Sequence, residues 1–202
     1  SVSSQIKAIT LFHLHINQNI VSYGRKHHLP VPRQLQAGSL LLDYANGFPR
    51  YLKLGDLEVL RMINHLVRDE NWNTIPQQVY DEKVEVGSNS FNISYSCRAS
   101  LGDVDFIWDC ELNGSADSTL TFSIKGKALK TFKRNRIGFT VLHPNQPCSG
   151  QPVTITHSDG EQEECTFPEL ISPHQPFMDI TAMRWKVGDA WARLQFYGEI
   201  FE

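Results

Sequence analysis

Apolar and polar residues alternate with a period of two along most of this chain, and that pattern restricts it to half-buried strands. In FNISYSC, Phe91, Ile93, Tyr95 and Cys97 share one face, with polar residues between them. VDFIWDCEL repeats the arrangement with Val104, Phe106, Trp108, Cys110 and Leu112, and TLTFSI with Leu120, Phe122 and Ile124. WARLQFYGEIF continues it with Ala192, Leu194, Phe196, Gly198 and Ile200. Turn residues fall at strand-length intervals, at Gly87-Ser88-Asn89, Leu101-Gly102-Asp103, Asn113-Gly114-Ser115, Ser158-Asp159-Gly160 and Val187-Gly188-Asp189. Many short strands with frequent turns predict an all-β fold, an antiparallel sandwich or barrel with few or no helices.

One segment fits two periods. DLEVLRMINHLVRD (56–69) has apolar residues at 57, 60, 63 and 67, which also suits a helix. It lacks a glycine stop, and the preferred reading is a strand running into a loop at Asn71–Pro76. Residues 1–34 read as an N-terminal extension and connector, extended around His27–Pro32 because prolines bias their predecessors away from helix. Residues 35–202 read as the sandwich domain, long enough to bury a core. The chain stops at Phe201-Glu202 inside an alternating pattern, which is expected of a piece of a larger protein.

Composition excludes several functions. A net charge of −3 provides no field for a phosphate backbone, so nucleic acid is not an expected partner. No apolar run approaches the roughly 20 residues that span a bilayer. Cys97, Cys110, Cys148 and Cys165 show no CxxC spacing, and reduced thiols in a cytoplasmic protein are expected. Without an export signal, the triplets at Asn92 and Asn113 read as chance matches to a glycosylation site.

Four stretches carry candidate chemistry. In RNRIGFTVLHP, Arg134 and Arg136 share a strand face with Gly138 and make a fork suited to a carboxylate or to polyol oxygens. Asn135 lies between them, and His143-Pro144 ends the strand. The bland alternative pairs both arginines with surface acids. In FPELISPHQPFMDI, Pro173 and Pro176 bracket His174-Gln175, so a stiff loop presents an imidazole and a carboxamide between anchors Phe167, Ile171 and Phe177. A packed structural loop is the competing reading. In RDENWNTIP, Arg68 and Asp69 beside Trp72 suggest a sugar-binding edge, since an indole face stacks on C–H surfaces; a loop plugging a sandwich end competes. His13 and His15 would share a strand face, but no third ligand lies at suitable spacing, so no metal and no cofactor are expected. No phosphate loop, GxSxG elbow or HExxH is present, and no catalytic residue can be assigned.

QAGSLLLDYANGFPRYLKLGDLEVLRMINHLVRDENWNTIP, RNRIGFTVLHP, Cys148-Ser149-Gly150 and FPELISPHQPFMDI, in that order, resemble the N-terminal part of the D-apionate lactonase family, from about Leu35 to Glu202. The resemblance implies a supersandwich of the galactose-mutarotase-like kind, leading a longer hydrolase that continues into a TIM-barrel-like domain. It implies opening of D-apionolactone to D-apionate in sugar catabolism, with the main catalytic machinery in that further domain. Arg136, His143, His174 and Gln175 would then offer donors to a sugar lactone or sugar acid from the sandwich side. A non-catalytic carbohydrate-binding module and a structural platform remain the alternatives.

Overall fold

A computed structural model describes residues 31–170 and 174–198. His13, His15 and most of the proline-rich connector lie outside the described residues. Residues 32–202 form one compact unit, and the fold below belongs to it.

The alternation becomes three antiparallel sheets. The first has the order β1-β2-β3-β4-β9, built from β1 (Arg33–Ala37), β2 (Leu40–Ala45), β3 (Phe48–Leu54), β4 (Leu57–Asp69) and β9 (Arg134–Leu142). The second is a meander of β5 (Gln77–Val86), β6 (Phe91–Leu101), β7 (Val104–Gly114) and β8 (Leu120–Ala128). The third has the order β11-β10-β12-β13, from β10 (Pro152–His157), β11 (Gln162–Thr166), β12 (Ile180–Val187) and β13 (Ala190–Gln195). A single turn of helix, α1 (Asn145–Cys148), links β9 to the third sheet. The all-β expectation holds.

The residues that the period-two pattern placed on one face are those that are buried. Phe91, Ile93, Tyr95 and Cys97 of β6 and Val104, Phe106, Trp108, Cys110 and Leu112 of β7 all join the core. They meet Leu35, Leu42, Leu52, Leu60, Ile63 and Val67 of the first sheet, which makes a sandwich of these two layers. The 57–69 segment is a strand: Ile63, His65 and Val67 turn inward, and Leu60 and Leu66 are buried as well, which is why its apolar positions also fit a helical period. Cys97 pairs across the hairpin with Trp108, and Cys110 with Tyr95, so the thiols do not face each other; all four cysteines are free. Among the described residues the last strand ends at Gln195, earlier than the alternation through Phe196 and Gly198 predicts, and Ile200 lies outside them.

Strand β4 belongs to two neighbourhoods. Its first half, Leu57–Met62, pairs with β3, and its second half, Met62–Asp69, pairs with β9. It therefore carries residues from the edge of the third sheet, where Leu57 lies under Gly188, to the sandwich end that bears Arg68.

The β1–β2 turn docks on the β7–β8 turn through Gly38. Its φ is +56°, and a Cβ there would lie 2.5 Å from the carbonyl oxygen of Ala116. Ser39 N donating to Ser118 Oγ at 2.8 Å fixes that contact, and Gly38 N donating to Asn89 O at 2.9 Å ties the same turn to the β5–β6 turn. Gly38→Ala adds left-handed strain to a clash against backbone, so it is expected to cost about 2–4 kcal/mol. A lower urea midpoint at unchanged slope is the check.

Candidate functional site

Arg68 and Arg136 are opposite each other on β4 and β9, although 68 residues separate them in sequence. Like charges directly across a ladder repel. Here the Trp72 ring takes up both, with the Arg136 guanidinium carbon 5.5 Å from the ring centroid and that of Arg68 5.8 Å away. Gln175 reaches Arg136 from the loop after β11. With its amide oriented as the hydrogen-bond network requires, Gln175 Oε1 accepts from Nη1 at 2.8 Å and Nη2 at 2.7 Å.

The turn that presents Trp72 is built by Asp69. Its Oδ1 accepts from the backbone N–H of Asn71 and of Asn73, each at 2.9 Å, and its Oδ2 accepts from Asn73 Nδ2 at 3.0 Å. The Asn73 side chain and those backbone amides hold the Asp69 carboxyl below the usual carboxylate range. Trp72 N donates to Asp69 O at 3.1 Å and Ile75 N to Val67 O at 2.9 Å. Ile75 is fully buried and plugs the sandwich end, while Trp72 remains 51% exposed. Trp72 has φ +67°, a left-handed conformation that a bulky residue adopts at a cost of order 1–3 kcal/mol.

Four of the eight candidate residues thus converge: Arg68, Trp72, Arg136 and Gln175. Asp69 supports them from behind. His174 is exposed on the same loop as Gln175, and that loop is anchored by Phe177 against Phe167, with ring centroids 5.9 Å apart. Ile171 and Pro173 lie outside the described residues. Asn135 is half-buried between the arginines and adds no hydrogen bond to the cluster. Arg134 lies across from Asp69 beyond a β-bulge. A Cβ on Gly138 would meet nothing within 4 Å, so the surface beside Arg136 is open.

His143 lies elsewhere. Seven residues along the chain from Arg136, it packs between Phe167 and Trp185, each ring 5.0 Å away. Burial pushes its pKa down to about 4, and its Nδ1 meets no partner among the described residues.

The sequence reading passed over His65. This imidazole is completely buried between the sheets, 5.2 Å from Trp108, 5.3 Å from Phe48 and 6.0 Å from Phe122. Its Nε2 lies 3.1 Å from Tyr95 Oη, which donates to Gly47 O at 2.6 Å. Burial lowers its pKa to about 4. The available signal was its place in the inward register with Ile63 and Val67.

Chemically, the cluster offers an aromatic face flanked by two cations and a carboxamide. That combination suits a small carboxylate or polyol with a C–H face. The Asp69 acceptors are engaged in their own turn, so the cluster supplies donors and a stacking surface rather than a base. Among the described residues, no group of three or more His, Cys, Asp or Glu is placed to hold a metal, and no helix is long and apolar enough to cross a membrane.

Comparison with known proteins adds the lineage. The profile of the D-apionate lactonase N-terminal domain matches residues 20–202, starting 15 residues before the resemblance read from motifs. The D-apionate lactonase of Brucella anthropi is 34% identical over 182 residues, covering 89% of this chain and 30% of that protein. The chain thus spans under a third of the length of this curated relative. No solved structure matches. With the matched span taking in every described strand and the Trp72 cluster, this chain belongs to the family of D-apionate lactonase N-terminal domains.

Proposed function

We propose that this chain is the leading β-sandwich of a cytoplasmic lactonase-like hydrolase that opens D-apionolactone to D-apionate. The principal catalytic machinery then lies in polypeptide beyond it, a TIM-barrel-like domain, and residues before about 35 serve as a connector. The sandwich contributes a binding edge at Arg68, Trp72, Arg136 and Gln175. The observation that carries this reading is the strained, half-exposed Trp72 with two guanidiniums within 6 Å of its ring, since strain of that kind collects at ligand sites. A five-membered lactone has a C–H face for the indole and a carbonyl oxygen for an arginine. The four free cysteines support a reducing compartment.

Arg136→Ala in the longer polypeptide is expected to raise KM for the lactone by about ten- to a hundredfold while kcat changes little. This corresponds to losing a charge-assisted hydrogen bond to substrate. Steady-state kinetics with thermal unfolding in parallel decide it. Unchanged KM with lower thermal stability would instead support the structural-platform reading, which the Gln175–Arg136 pairing favours because it satisfies the guanidinium internally. Calorimetric titration of this chain with sugar acids tests the binding-module reading.

A further inference from the structure

Residues 125–136, KGKALKTFKRNR, hold six cations and no acid, whereas the other 190 residues carry 13 cations against all 22 acids. The stretch ends β8, crosses to β9 and begins it. Both strands are edges, β8 of the second sheet and β9 of the first. Between them opens a cleft of about 460 Å³. Phe106, Leu129, Phe132 and Ile137 give it an apolar lining, and Lys130 and Arg134 stand on its walls.

These cations are largely unspent. Lys133 meets Glu70 at 3.4 Å with both side chains exposed, and Arg136 is engaged by Gln175. Lys125, Lys127 and Arg134 are exposed and form no ion pair among the described residues. Asp105, whose carboxylate feels Lys130, is held by Arg98 through two hydrogen bonds of 2.8 and 2.7 Å. Lysines on an edge strand also resist indiscriminate strand pairing, so a partner here must be selected by charge. The cleft is too open to enclose a small ligand, which a binding pocket buries over most of its surface. An apolar floor with a charged rim is instead the layout of a protein interface.

We infer that the β8–β9 corner is the docking surface for an acidic segment, with an apolar anchor, of the same polypeptide beyond this chain. The occupant is chosen by charge complementarity and by length, since the Brucella anthropi relative extends over more than three times the span matched here. This inference rests on the reading of the chain as the leading domain of a longer enzyme. It places the Trp72 cluster next to the joint, because Arg134 lines the cleft and Arg136 lies two residues on.

The test compares amine acetylation of the longer polypeptide and of this chain, read residue by residue by mass spectrometry. Lys125, Lys127 and Lys130 are expected to react about tenfold more slowly in the longer polypeptide, as groups withdrawn into an interface do. The exposed Lys53 and Lys83 should react equally in both. Carbodiimide coupling should join the protected lysines to carboxylates of the added polypeptide. Equal reactivity at all five lysines overturns the inference, and so do cross-links confined to two copies of the chain or protection that requires bound nucleic acid. Lactone turnover is scored separately: protected lysines in a protein that opens no lactone leave the docking surface standing and remove the proposed activity.

Discussion

Acidification from pH 6.5 to pH 4 is expected to remove roughly 6 kcal/mol of folding stability, enough to bring a domain of ordinary stability to the verge of unfolding. The cause is His65 and His143, both enclosed among aromatic rings and both pushed to about pH 4 by burial. Above pH 6.5 each imidazole is neutral in the folded and unfolded chain, and the stability is fully present. Between 6.5 and 4 the unfolded chain binds two protons that the folded chain refuses, so stability falls as pH falls, by roughly 3 kcal/mol for each histidine. Below 4 both states are protonated and this loss is complete. His157 acts in the opposite sense. The backbone carbonyl of Asp179, with help from Glu163, raises its pKa, so it stabilises the fold below 6.5 and loses that effect above its folded value. Its ring is half-buried and its partner Glu163 is exposed, so solvent screens the pair and its effect is small beside that of His65 and His143. Denaturant unfolding at pH 7, 5.5 and 4 measures the slope directly. His65→Phe and His143→Phe should each halve it, and a flat profile across this range would show that the rings are not sealed from water.

Replacing Trp108 with Ala is expected to cost about 3–5 kcal/mol, whereas Trp108→Phe should cost under about 1.5 kcal/mol. Trp108 is buried against Phe106 at 4.6 Å and His65 at 5.2 Å, in the layer where the two sandwich sheets meet. Gly126 on β8 has no side chain because a Cβ there would sit 2.6 Å from the Trp108 ring, so the neighbouring strand cannot move in to fill a hole. The indole N–H finds no acceptor among the described residues, so the six-membered ring and its contacts carry the value of the residue. Thermal or denaturant unfolding of both variants separates the two contributions. Equal losses would show that the contacts of the five-membered ring, which Phe lacks, carry the stabilisation instead.

The two predictions concern residues with very different visibility in the sequence. Trp108 is legible, because period-two alternation places it between Phe106 and Cys110 without reference to anything distant. The same local rule finds the inward faces of β6, β7 and β8, whereas in β4 the apolar positions fit a helical period as well. Strand order is not local. Nothing near Arg136 says that β9 returns to lie against β4, so its meeting with Arg68 and Trp72 appears only once the sheet is assembled. His143 is the converse case. Its position before a proline at a strand end has the look of a presented side chain, but the third sheet closes over it with Phe167 and Trp185. The Asp69 turn lies between these extremes: an acid followed by two asparagines is a familiar turn composition, yet its role as the scaffold of Trp72 needs the hydrogen bonds.

The divided pairing of β4 has a consequence during synthesis. Its first half can zip to β3 as soon as the hairpin leaves the ribosome, whereas its second half must wait until every strand of the β5–β8 meander has been made. During that interval His65, Leu66 and Val67 form a bare sticky margin, the kind on which nascent chains aggregate. Chaperone dependence in this protein should therefore be set by how quickly β9 arrives, and slow translation between residues 70 and 134 should lower its soluble yield.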